Sequence, residues 1–312
     1  MTNDEPPPTG PPRAPDRSLL AVPASKLRMV EKALASEADA ALLDLEDAVA
    51  PDDKADARGN VVRALTELDR HGKRGLYRVN PLGTPWFHHD LIDVVEGAGD
   101  ALDAVMIPKL ERLEDLYLVD GLLAQAELAA GLERGHVRLE ILIESAAALV
   151  SVDAIARSGA RLEGFHFGPG DYAASVGMPQ THIGTRDEWD DAYPGDRFHY
   201  PMQRIVVAAR AAGLRAMDGP VADLGDDEGL RQSARRARSL GFDGKWCIHP
   251  KQIATVNEVF SPTDAELERA SKLVKAYEES TAAGRGSIAV DGQMVDAASI
   301  RMAQAVLDRA RD

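Results

Sequence analysis

Short apolar runs alternate along this chain with longer amphipathic stretches. The runs are SLLAVPA (18–24), AALLDLEDA (40–48), GLYRVN (75–80), AVMIPKL (104–110), RLEILIES (138–145), LEGFHFGP (162–169), GLRAMDGP (213–220) and GKWCIHP (244–250). Most are too short for helices and end at polar, Gly or Pro residues, the pattern of parallel strands buried on both faces. Between them, segments such as LRMVEKALAS, ADARGNVVRALTELDR and LEDLYLVDGLLAQAELAAGL carry helical composition and periodicity. Eight strands alternating with helices over about 240 residues predict an α/β fold, a (β/α)8 TIM barrel spanning 17–259. A doubly wound open sheet is the rival, but it usually has fewer strands and a Gly-rich first turn. Here the first strand runs into VPASKLR, with no G-x-G-x-x-G nearby.

The two ends read differently. Residues 1–16 carry prolines at 6, 7, 8, 11, 12 and 15 and almost nothing apolar, which predicts a disordered tail. Past residue 260, SPTDAELERASKLVKAYEES has a Ser/Thr/Asp start, a following glutamate and an apolar face, as a capped helix should. A glycine-containing turn, AAGRGSIAVDGQMVD, leads to a final helix, AASIRMAQAVLDRARD. Residues 260–312 are therefore expected to form a C-terminal helical extension, a lid that packs on the barrel or on a neighbouring subunit.

Composition narrows the function. The 312 residues include 51 acidic and 36 basic side chains, for a net charge of −15, which opposes binding to nucleic acid. A few local arginines can still hold an anionic small molecule. One cysteine cannot form an internal disulfide, and no run approaches the roughly 18 apolar residues of a membrane helix. The N-terminus lacks the basic start and apolar stretch of a signal peptide, so a soluble, cytoplasmic protein is expected.

In a barrel of this kind, chemistry sits where the strands end. In order, those positions hold Glu46, Asp47, Arg78, Asn80, Lys109, Glu144, Asp171, Asp218 and His249. Carboxylates gathered in one mouth repel unless a cation offsets them, and hard oxygen donors without cysteine or paired histidine suit Mg2+. Each position also has a purely structural reading. Glu144 and Asp171 can cap helices, Arg78 can pair with Glu46, and Glu46 and Asp47 can serve as helix N-terminal charges. Cys247, between Trp and Ile, reads as inert core. The cations Arg17, Lys26, Arg28 and Lys32 cluster around the first strand and helix, as a phosphate site or as a solvated helix face.

The segments LLAVPASKLRMVEKALASEADAALLDLEDAVAPDDKADAR, YRVNPLGTPW, MIPKLE, LIESAAAL and HFGPGDYAAS, in that order, resemble the HpcH/HpaI aldolase and citrate lyase β-subunit-like family of CoA-ester lyases. FHYPMQRIVVAARAAGLRAMDGPVADLGDDEG and ARSLGFDGKWCIHPKQIATVNEVFSPTDAE are similar to its malyl-CoA lyase branch. The resemblance implies a TIM barrel that binds Mg2+, with Mn2+ as the substitute ion, and assembles as trimers or hexamers. It implies reversible cleavage of L-malyl-CoA or β-methylmalyl-CoA into glyoxylate and acetyl-CoA or propionyl-CoA. Citramalyl-CoA cleavage and malyl-CoA thioester hydrolysis are the alternatives, and a non-enzymatic scaffold is the reading from outside enzymology.

By the same resemblance, Glu144 and Asp171 are the direct metal ligands and Arg78 holds the thioester or oxo-acid oxygen. Glu46 and Asp47 hydrogen-bond water on the metal, and Arg17, Arg28 and Lys32 hold the CoA phosphates. Asp296 is the acid/base that the extension offers to a neighbouring subunit. Asp218 and Val221 are candidates for substrate choice: Val221 stands after DGP where an aromatic residue is usual in that branch, and a smaller residue there should admit a methyl-branched substrate.

Overall fold

A computed structural model describes residues 16–159, 161–193, 195–282 and 287–310. Its elements run β1 (Ser18–Pro23), α1 (Leu27–Leu34), β2 (Ala40–Asp44), α2 (Lys54–Glu67), β3 (Leu76–Arg78), α3 (Phe87–Ala98), β4 (Ala104–Ile107) and α4 (Leu113–Ala129). They continue with β5 (Arg138–Ile143), α5 (Ala146–Ala156), β6 (Leu162–Phe167), α6 (Pro169–Ser175), α7 (His199–Ala211), β7 (Arg215–Asp218), α8 (Asp227–Leu240), β8 (Gly244–Cys247) and α9 (Ile253–Phe260). Last come α10 (Asp264–Ala282), β9 (Ile288–Val290), β10 (Gln293–Val295) and α11 (Ala297–Leu307).

Strands β1 to β8 are parallel neighbours in chain order, and β1 closes on β8 with Leu19 opposite Trp246. This is the expected TIM barrel. Every residue of β2, β3, β4 and β8 is buried, which is why each reads as a run rather than an alternation. Local signals agree with the global fold: the Ser145 hydroxyl caps α5 by accepting the Ala148 N–H, and Gly241 ends α8 in the left-handed conformation. Leu19, Leu42, Leu76, Met106, Leu142, Met217 and Trp246 pack into one core cluster.

At the N-terminal end of the strands the barrel is plugged by charge. Arg74 donates to Glu140 (2.7 Å) and Asp16 (3.1 Å), and Arg215 donates to the same two acids (2.8 and 2.9 Å). Asp16, which the sequence groups with the tail, is thus a buried member of this plug. The rest of the proline-rich tail lies outside the described residues. Burial alone would raise the Glu140 carboxyl pKa, but Arg74, the His166 contact and Arg215 overcome it and hold it well below the usual range. A carboxyl depressed in the folded state contributes stability above its unfolded pKa of about 4.3 and loses it as pH falls through the folded value. Urea unfolding should therefore find Glu140→Gln less stable than wild type by about 3–5 kcal/mol at pH 7, with the gap narrowing below about pH 4.3. A gap independent of pH would contradict this.

Residues from Glu258 onward form a second compact unit. Thr263 and Glu266 cap α10 reciprocally: Glu266 accepts the Thr263 N–H, and its own N–H donates to the Thr263 hydroxyl. The expected turn before the last helix contains β9 and β10, an antiparallel hairpin around Asp291 (φ 49°) and Gly292 (φ 78°). Two positive φ values in an Asp-Gly pair suit a type I′ turn. Strands of three residues are too short to stand out as alternation in the sequence. No helix among the described residues is long and apolar enough to cross a membrane.

Candidate active site

A cavity of about 430 Å3 opens at the C-terminal ends of the strands. Its polar wall holds Asp44, Asp47, Arg78, Glu144 and Asp171, and its apolar wall includes Phe167, Ile183, Pro220, Trp246 and Ile248. The guanidinium of Arg78 sits at the centre of the acids. Its Nε and Nη2 donate to the two Asp44 oxygens (2.7 and 2.8 Å), and Nη1 is 2.6 Å from Glu46. Two of the five N–H groups are hydrogen-bonded to Asp44 and a third faces Glu46 in an ion pair, so two remain for a ligand.

Glu144 follows β5 and is 3% exposed. It accepts the backbone N–H of Lys109 at 2.9 Å. Lys109 holds φ at 51°, a left-handed conformation that costs a lysine energy and is characteristic of functional sites. On the other side lies Gly168, where a Cβ would come within 2.5 Å of the Glu144 Cβ and 2.9 Å of its Oε2. Only glycine fits there. Burial, with Glu46 and Asp171 nearby, pushes the Glu144 carboxyl up to about 8 against the opposing pull of Arg78.

Glu46 is 2% exposed, and burial raises its carboxyl as well, offset in part by Arg78. Neither of its buried oxygens accepts a well-formed hydrogen bond; Arg78 Nη1 at 2.6 Å and Lys109 Nζ at 3.2 Å reach them as ion-pair contacts. Asp47 and Asp171 are more open. The loop carrying Glu46 and Asp47 is anchored by the buried Lys54, whose Nζ donates to Leu45 O (2.8 Å), Glu46 O (3.0 Å) and Asn80 Oδ1 (2.6 Å).

These acids fit a hard divalent cation. Two of them are buried and destabilised as anions, and all are oxygen donors. Among the described residues no three His, Cys, Asp or Glu side chains converge closely enough to hold a metal unaided; Mg2+ is commonly bound by one or two carboxylates with other oxygens completing its shell.

Three residues lie elsewhere than expected. Arg17 precedes β1, at the opposite end of that six-residue strand from the cavity, about 13 Å along it from Ala21, where the cavity lining begins. Its Nε and Nη2 both bind Asp39 at 2.8 Å. It is a clamp at the barrel floor, not part of the mouth. Lys26, Arg28 and Lys32 are exposed on and just before α1, after the strand. Asp218 is buried against Lys245 Nζ at 2.5 Å. Val221 is 0% exposed, its carbonyl accepting from Gln252. Neither lines the cavity; Ile183 and Pro220 take that place. Asp296 caps α11, accepting the Ser299 N–H at 2.9 Å, and these Ser299 bonds hold its exposed carboxyl below the usual range. Cys247 is buried, its thiol pushed up to about 12 by that burial, and is inert.

The sequence reading missed Asp44, the partner that orients Arg78. It also missed Lys54. Their signals were present as the first acid of LLDLED and as a lysine closing the motif APDDK.

The HpcH/HpaI aldolase/citrate lyase family matches residues 17–250, the whole barrel. The chain belongs to this family. Among its relatives, the L-malyl-CoA/β-methylmalyl-CoA lyase of Cereibacter sphaeroides is 43% identical over 96% of both chains. The malyl-CoA/β-methylmalyl-CoA/citramalyl-CoA lyase of Chloroflexus aurantiacus is 33% identical, over 92% of this chain and 84% of its own. Protein CitE from Mycobacterium tuberculosis, solved with magnesium, acetoacetate and coenzyme A, superposes with a TM-score of 0.74 at 30% identity, covering 95% of this chain and 98% of that one.

Proposed function

We propose that this chain is a Mg2+-dependent carbon–carbon lyase that cleaves L-malyl-CoA to glyoxylate and acetyl-CoA, and β-methylmalyl-CoA to glyoxylate and propionyl-CoA. The observation that carries this reading is one cavity uniting the buried Glu144 with Asp171 and an Arg78 that keeps two donors free. The likeness to the Cereibacter sphaeroides lyase supports the substrate choice.

Glu144 and Asp171 hold the ion, with Mn2+ as a substitute. When bound, it supplies Lewis acidity that makes the substrate hydroxyl easier to deprotonate and favours the emerging 2-oxo acid. Glu46 and Asp47 orient the hydrogen-bonding groups around it. Arg78 directs its two free N–H groups at the thioester oxygen, where negative charge collects as the bond between the hydroxyl-bearing carbon and the α-carbon of the thioester breaks. The hydroxyl proton passes through water to the Asp296 carboxylate, the carbinol becomes the aldehyde of glyoxylate, and the electron pair passes to the acetyl-CoA enolate. Asp296 of a neighbouring subunit then protonates the enolate carbon, and removes that proton in the condensation direction. As an exposed cap it is a weak base, so burial in the neighbour's site must raise it. The assembly is a homotrimer or homohexamer, and Lys26, Arg28 and Lys32 receive the CoA phosphates.

Residues 260–312 act as the lid in this scheme, and Ile183 reads the substituent beside the reacting carbons. Its Cδ1 lies 3.0 Å from where a Cβ on Gly170 would stand, next to Asp171. Ile183→Ala should raise the kcat/KM ratio of β-methylmalyl-CoA to malyl-CoA about tenfold, as expected for one or two methylene-sized gaps. An unchanged ratio would leave Ile183 without this role. The same apolar wall gives citramalyl-CoA, with its extra methyl, a place as the second substrate reading.

The test is release of glyoxylate from malyl- and β-methylmalyl-CoA, and of pyruvate from citramalyl-CoA, by the purified protein with Mg2+ and with EDTA. Release that EDTA abolishes supports the reading; no 2-oxo acid from any of the three ends it.

A further inference from the structure

A hydrogen-bonded column runs up the inside of the barrel, from the charged plug to the cavity. Arg74 and Arg215 both bind Glu140 Oε1. The other oxygen, Oε2, lies 2.9 Å from Nε2 of His166 on β6. The Nδ1 of His166 lies 2.8 Å from the indole Nε1 of Trp246 on β8. The guanidinium carbon of Arg78 stands 5.5 Å over the centre of the Trp246 ring. His166 and Glu140 are 1% exposed and Trp246 is 5% exposed, so water does not compete for these bonds.

The geometry sets the proton positions. An indole N–H can only donate, so Nδ1 of His166 must present a lone pair, and its proton sits on Nε2, facing Glu140. Imidazolium would set N–H against N–H at Trp246. Glu140, held as an anion by two arginines, therefore selects the neutral Nε2–H tautomer, as a carboxylate behind a histidine does at many functional sites. That tautomer is the one able to accept from Trp246. The indole is consequently pinned at both ends, by the β8 backbone and by its own N–H. Its face forms the surface on which Arg78 lies.

We propose that His166 is a positioning residue for the lyase reaction: by accepting the Trp246 N–H it fixes the indole plane beneath Arg78, and so the direction of the two free Arg78 N–H groups. Asp44 and Glu46 grip three N–H groups from the rim, and Trp246 stops the guanidinium tilting out of that plane. Arg–aromatic contact is stronger where water is excluded, and oxyanion stabilisation is steeply sensitive to donor direction. The proposal rests on the reading of Arg78 as the oxyanion partner.

His166→Leu removes both bonds, whereas His166→Gln keeps an acceptor for the indole and a donor for Glu140. Trp246→Phe keeps a ring but no N–H. In the Mg2+-loaded full-length protein, His166→Leu and Trp246→Phe should each lower kcat for malyl-CoA cleavage about 10–100-fold, with KM within about threefold of wild type and Mg2+ stabilisation unchanged. His166→Gln should recover most of the loss. In an Arg78→Lys background, His166→Leu should cost little more, because the path it serves is already broken.

The indole N–H resonance assigned by its disappearance in Trp246→Phe should lie downfield in wild type and His166→Gln. If His166→Leu does not fold, Trp246→Phe and the indole resonance still decide. Wild-type kcat in folded Trp246→Phe, or losses that add fully to Arg78→Lys, would overturn the proposal. If the wild-type protein cleaves none of the CoA esters, the functional reading fails while the indole resonance still reports the His166–Trp246 bond.

Discussion

Glu144→Gln is expected to lower kcat/KM for malyl-CoA cleavage at least about 10^3-fold, the rate equivalent of about 4 kcal/mol of lost transition-state stabilisation. The substitution keeps size and keeps an acceptor for the Lys109 N–H, so the loop geometry around φ 51° survives. What it removes is a negative charge that burial, Glu46 and Asp171 already disfavour. Two consequences separate this from general damage. The metal-free variant should be about as stable as metal-free wild type, because a carboxyl pushed up to about 8 carries little charge near pH 7 for the amide to replace. The rise in Tm that Mg2+ confers on wild type by binding the folded state should vanish. Thermal unfolding with and without Mg2+ checks both. A variant that keeps the Mg2+-dependent rise would remove Glu144 from the metal site.

Asp296→Asn is expected to lower kcat about 10^2- to 10^4-fold, the range for losing a general acid/base, with Mg2+ stabilisation intact. Subunit exchange gives the sharper outcome. Asp296→Asn and Glu144→Gln are each inactive alone for different reasons. Co-expressed, they form mixed oligomers in which an intact Glu144 can meet an intact Asp296 from the neighbour. Recovered activity in the mixture, absent from either parent, is the expected result. Failure to recover would assign Asp296 to its own subunit or to capping α11 alone, the role its bond to Ser299 already performs.

The barrel was legible because parallel strands buried on both faces read as unbroken apolar runs, and all eight lie within the runs seen in the sequence. Strand ends then exposed Arg78, Glu144 and Asp171, which share one cavity. What stayed hidden depended on distances that sequence neighbours do not reveal. Arg17 and Lys26 look adjacent, yet β1 separates them by its whole length. Val221 follows the right motif, but its side chain turns into the core while Ile183, from another loop, covers the wall. Asp44 was masked by two acids close behind it in LLDLED. Glu140 and His166 were passed over inside RLEILI and LEGFHF, although a charged or titratable residue within a fully buried strand needs a partner. That need is a usable sequence signal for a polar column inside a barrel.

The carboxylates around Arg78 are expected to serve carbon–carbon cleavage of a CoA ester rather than hydrolysis of its thioester. The measurement is a mass-spectrometric product balance from malyl-CoA with purified protein and Mg2+. Equimolar glyoxylate and acetyl-CoA, appearing together and suppressed by EDTA, is the result expected. Malate and free CoA formed without glyoxylate would contradict this.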